Sequence, residues 1–76
     1  MYSNSLSDEE ARRALDAFQQ GIVLLHQAET GDKLAALRAV VAFLKCLEWA
    51  TPQTFPQLYQ EAMVALAQAR YWCSLW

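Results

Sequence analysis

The sequence predicts an all-α fold of three antiparallel helices, and three observations carry that prediction. Only two glycines and two prolines punctuate 76 residues, which leaves room for long regular elements. Thirteen alanines and seven glutamines weight the composition towards helix. Apolar residues recur three and four apart, in three stretches separated by turn signals. We read residues 1–76 as a single domain with helices over about 8–29, 33–50 and 55–74. A chain of this length hides only about 60% of its unfolded surface, so its stability is marginal and partners matter.

The first helix opens at Ser-Asp-Glu-Glu, residues 7 to 10, where Ser7 and Glu10 have the spacing of a capping box. Met1 together with this capped start is read as a genuine beginning of the chain. Ala11, Leu15, Phe18, Ile22 and Leu25 then share one face, with Glu9–Arg13 and Arg12–Asp16 as surface pairs on the other. Gly31 supplies a left-handed stop and Asp32 the cap of the second helix. In that helix Leu34, Leu37, Val40, Val41, Leu44 and Leu47, widened by Phe43, form a broad apolar stripe. Only Arg38, Lys45 and Glu48 keep a strip wet, which predicts packing on more than one side. Thr51-Pro52 ends it. Thr54 with Gln57 predicts a second capping box, and Pro56 sits in the first turn of the third helix, where its missing N–H is harmless.

An internal echo accompanies the helices. FQQGIVLLHQA (18–28) and YQEAMVALAQA (59–69) agree at five of eleven positions with an offset of 41 residues, the period of a helix–turn–helix unit. Gly21 on the first helix, Ala39, Phe43 and Cys46 on the second, and Pro52 after it resemble the small, small–aromatic, small and final-proline pattern of tetratricopeptide repeats. The loop ETGD, then LAALRAVVAFLKCLEW and TPQTFPQLYQEAMVALAQARYW, is closer still to a long-loop bacterial variant found in arrays beside caspase-like (CHAT) proteases. The likeness covers residues 18 to about 72, and departs from the family where Ala17 and Leu58 stand in place of a tryptophan. It implies a TPR-like helical-repeat hairpin plus one extra helix, with a scaffold or sensing role and no chemistry of its own.

Several function classes are argued against by composition. A net charge of −2 without a run of Lys or Arg offers no footprint for nucleic acid. Cys46 and Cys73 read as two small apolar core residues in a reducing cytosol, since secreted mini-proteins normally carry four or more cysteines. MYSNSLSDEE has neither the basic nor the apolar region of a signal peptide. The longest apolar run falls far short of the ~20 residues that span a bilayer. The expected location is therefore cytoplasmic.

Catalytic residues are expected to be none. His26, the sole histidine, lies one position past the apolar stripe of the first helix with Gln27 and Glu29 as poor companions for catalysis or metal binding. The carboxylates fall in caps and surface pairs, and neither a Gly-x-Ser-x-Gly elbow nor a phosphate loop is present. No cofactor and no metal is expected. Phe18, Phe43, Phe55 and Tyr59 are assigned to helix contacts, whereas Trp49, Tyr71, Trp72, Leu75 and Trp76 are the candidate partner-binding residues. The segment YWCSLW is read as the end of a repeat helix awaiting cover, and another protein chain, identical or different, is the expected cover. The predicted function is a non-catalytic protein–protein interaction module acting as scaffold or adaptor. Peripheral membrane attachment through the C-terminal Trp/Tyr cluster, or a small regulatory subunit of an enzyme complex, is the alternative. Arg70 as the only cation of the third helix weighs against a membrane.

Overall fold

The computed structural model describes residues 3–75, with side chains from residue 8 onward. Three helices, α1 (Ser3–Glu29), α2 (Lys33–Trp49) and α3 (Pro56–Leu75), pack antiparallel in sequence order, and the described residues hold no fourth. The radius of gyration is 13.2 Å and the extents are 48 × 17 × 13 Å, against about 11 Å expected for the radius of a compact domain of this length. The long axis follows α1, whose 27 residues rise about 40 Å. Helix α2 packs along both neighbours, while α1 and α3 touch each other over a much shorter stretch.

Two predicted helix starts are corrected. Helix α1 already runs through residues 3–7, so Ser7 lies inside it and the helix does not begin there; the side chain of Ser7 lies outside the described residues. At α3, Thr54 does not cap. Its hydroxyl accepts from Thr51 N–H at 3.1 Å and donates to the Trp49 carbonyl at 3.2 Å, while Thr54 N–H donates to the Thr51 hydroxyl at 3.1 Å. The two threonines thus tie the α2–α3 connection into a closed turn. The first backbone acceptor of α3 is Phe55, which receives the Tyr59 N–H at 2.8 Å, and Pro56 occupies the first helical position.

The α1–α2 turn agrees with expectation. Gly31 has φ +111, a region that a β-carbon makes unfavourable, and the Asp32 carboxylate accepts the Ala35 N–H at 3.1 Å. Asp32→Ala is expected to lower the unfolding free energy by about 1 kcal/mol through the lost cap. A urea titration followed by circular dichroism reads this, and an unchanged midpoint would show that the cap contributes nothing.

The packing departs from expectation in one systematic way. Among the described residues the buried hydrophobic ones are Leu25, Phe43, Cys46, Leu66 and ten alanines: 14, 28, 35, 36, 39, 42, 50, 62, 65 and 69. The helices therefore meet through methyl groups. On α2 the stripe that faces inward is Ala35, Ala36, Ala39, Ala42, Phe43 and Cys46, whereas Leu34, Leu37, Val41 and Leu44, expected to be inside, are exposed. Leu15 of α1 is exposed as well, and the seam there runs through Ala14, Gly21, Leu25 and Ala28. The physical reason is distance: small side chains let helix axes approach closely, and a leucine in the seam would force them apart.

The two segments of the echo share their burial. Gly21 and Ala62, Leu25 and Leu66, and Ala28 and Ala69 are buried as pairs, Phe18 and Tyr59 are both half-buried, and the paired glutamines 19/60 and 27/68 are both exposed. Two positions differ: Ile22 is half-buried where Met63 is exposed, and Leu24 is half-buried where Ala65 is buried.

Candidate functional site

Of the residues proposed to bind a partner, Trp49 lies at the end of α2, apart from Tyr71, Trp72 and Leu75 on α3. Trp49 closes α2 and is half-buried against the cluster of Ala14, Cys46, Ala50 and Ala62. The Arg13 guanidinium lies 5.5 Å from its ring centroid, a cation–π distance, and Glu9 holds that arginine at 3.3 Å. Glu9, Glu10, Arg13 and Trp49 border one small surface groove. The predicted Arg12–Asp16 pair does not form within 4 Å among the described residues.

Trp72 faces the interior of the bundle. It packs against Ala28, Ala35 and Ala36, at the end of α1 and the start of α2, and meets the Leu25–Phe43–Leu66 cluster as well. Its cover is thus supplied in part by the chain itself. Tyr71 touches Trp72 edge-on, with ring centroids 5.7 Å apart, yet remains 59% exposed. Leu75 is also exposed, and Trp76 lies outside the described residues. Tyr71 and Leu75 continue a row from Val64 through Gln68 on the outer face of α3, with Met63 beside it. Tyr71 and Leu75 turn away from the buried Ala62, Ala65, Leu66 and Ala69, while Val64 and Gln68 also border the groove beside α1.

Between α1 and α3 the short contact leaves a groove floored by Phe18, Ile22, Val64 and Ala65 and rimmed by Gln57, Gln60, Glu61 and Gln68. Its walls carry amides and one carboxylate, with no nucleophile or base beside them. His26 is exposed on α1, its Nδ1 3.8 Å from Glu29, and no three His, Cys, Asp or Glu side chains among the described residues gather to hold a metal ion. Both cysteines are free; burial pushes the Cys46 thiol up from its ordinary range, which disfavours the reactive thiolate. No helix among the described residues is long and apolar enough to cross a membrane.

Sequence reasoning missed the aliphatic row Leu34, Leu37, Val41 and Leu44 as a surface. Its spacing of three, four and three predicts a core stripe and a surface seam equally well. No family model, curated protein or solved structure matches the chain. What the chain shows is a small three-helix all-α domain with no family assigned.

Proposed function

We propose that the chain is a non-catalytic protein-interaction module, a scaffold or adaptor of tetratricopeptide-like build that binds a protein partner or self-associates through the outer face of α3. The observation that carries this reading is the placement of bulk: alanines make up most of the interior around Phe43, Leu25 and Leu66, while most of the large aliphatic side chains of α2 and α3, and Tyr71, are exposed. Exposed leucines scattered singly need no explanation, but contiguous apolar rows on a small domain mark surfaces made for contact. The shared burial of the two echo segments supports the repeat-like build, in which each unit leaves a face for the next. Arg70 as the only cation on α3 favours protein over an anionic lipid surface.

Light scattering over a concentration series, together with a photo-cross-linker placed at position 71, tests the reading. The expected result is a mass above the monomer, or a cross-link to a second polypeptide. Tyr71→Asp with Leu75→Asp is expected to abolish it while leaving helicity intact, because both side chains are exposed. A monomer that yields no cross-link from position 71 would overturn the reading.

A further inference from the structure

The outer face of α2 carries a second row that the α3 reading does not use. Leu34, Leu37, Val41 and Leu44 are each between 50% and 57% exposed and follow one another at intervals of three, four and three residues. That spacing is the seam of a helix–helix contact of the knobs-into-holes kind. It forms a straight stripe about 15 Å long, or roughly three turns, which a second helix laid at a shallow angle covers completely. Directly after each of the second and fourth members stand Arg38 and Lys45, so both lie on the same flank of the stripe. Neither forms an ion pair within 4 Å among the described residues. Arg38 also borders a surface groove with Asp16, Gln19, Gln20 and Val23 of α1, yet remains outside pairing distance of that carboxylate. Of the charged residues of α2, Lys33, Arg38 and Lys45 are basic and Glu48 alone is acidic, one turn beyond the stripe. In a chain of net charge −2, this helix is the positive one.

We infer that the α2 stripe docks an acidic amphipathic helix of another protein, with leucine-type anchors on its apolar face and Asp or Glu along the edge that meets Arg38 and Lys45. Charge decides between this occupant and a second copy. Pairing two α2 stripes antiparallel sets the Arg38–Lys45 flank against the same flank of the copy. Pairing them parallel sets it against Lys33, Val40 and Leu47. Neither arrangement brings a carboxylate of α2 to the flank, and like charges facing each other across such a seam select against the pair. A bilayer is disfavoured by the narrowness of the row and by its lack of an exposed aromatic, since interfacial helices present a wide apolar face with Trp or Phe. The inference shares the interaction-module class of the reading above but uses a different face, so each can fail alone.

Fluorescence anisotropy with labelled three-heptad peptides tests it, all with leucine on one face and with either Glu or Lys on both flanks. The chain is expected to bind the Glu peptide at least about tenfold more tightly than the Lys peptide, less so at high salt. Leu37→Ser with Leu44→Ser is expected to remove binding with circular dichroism unchanged. Arg38→Glu with Lys45→Glu is expected to reverse the preference, while Tyr71→Asp with Leu75→Asp leaves it alone. Equal binding of both peptides, or of neither, overturns the inference. So does a mass doubling in the unaltered chain that Leu37→Ser/Leu44→Ser abolishes, which assigns the stripe to a second copy. Binding to phosphatidylserine vesicles that the same leucine variant loses, without peptide binding, assigns it to a membrane and overturns it equally.

Discussion

Phe43→Ala is expected to lower the unfolding free energy by about 3–5 kcal/mol, much of the roughly 4–11 kcal/mol that a domain of this length possesses in total. Phe43 is fully buried and is the largest side chain of the cluster formed with Leu25, Ala39, Ala65, Leu66 and Ala69. Its ring lies 5.8 Å from that of Phe18, tilted by 59°. Three of those five neighbours are alanines, which have no rotamer by which to move into the vacated space. The cavity therefore persists, and its loss of dispersion contacts adds to the loss of transfer energy. Chemical denaturation followed by circular dichroism gives the value, with Phe43→Leu expected between the two. A loss below about 1 kcal/mol for the alanine variant would show that the helices collapse onto the gap and that Phe43 is not the keystone its burial indicates.

Gly21→Ala is expected to destabilise as well, against the intrinsic preference of helices for alanine. A β-carbon built at Gly21 meets Phe43 Cε1 at 2.5 Å, Cζ at 2.7 Å and Cδ1 at 2.8 Å. Alanine gains about 1 kcal/mol in helix propensity over glycine. Overpacking a filled core costs about 1–3 kcal/mol. The steric term wins because the ring has no solvent-facing side to retreat to, and a net loss of up to about 2 kcal/mol is expected. Combining Gly21→Ala with Phe43→Leu should cost less than the sum of the two, since the smaller side chain vacates the contested volume. A Gly21→Ala chain more stable than the original would mean that the ring moves freely and that the close approach is incidental. The echo position, Ala62, packs instead with Ala14, Cys46 and Ala50, away from the Phe43 cluster.

The existence and order of the helices were legible because periodicity, two turns and a short list of breakers all agreed. Asp32 and Gly31 were readable for the same reason: a cap and a left-handed glycine are local chemistry, independent of what the rest of the chain does. The inward face was not. Hydrophobic periodicity weights bulky side chains, so Leu34, Leu37, Val41 and Leu44 drew the stripe, while Ala35, Ala36, Ala39 and Ala42, a residue or two away, carried too little apolar area to compete. Both sets repeat at helical spacing, and only the distance between axes decides which is inside. Trp72 shows the converse. It lies three residues past Ala69 and thus in phase with the small-residue seam of α3, and its phase was read correctly. The ends of α1 and α2 cover part of it and leave the rest half-exposed. Thr54 misled because a capping box is judged by spacing, and the competing hydroxyl three residues earlier, on Thr51, takes the bond instead.

The alanine seam also divides the entropy of this molecule in an unusual way. Ordering a side chain on burial removes rotamer freedom worth nothing for alanine and about 0.5–1 kcal/mol for leucine. Bringing the three helices together largely through alanines therefore freezes fewer side-chain torsions than a leucine-filled seam would, and more of the ordering penalty of folding falls on the backbone. The outer leucines and valines keep their torsional freedom in the folded monomer. Any chain that settles on them takes on their immobilisation at that moment, so contacts at these faces begin with an entropic handicap that folding has not already absorbed, which tends towards reversible association.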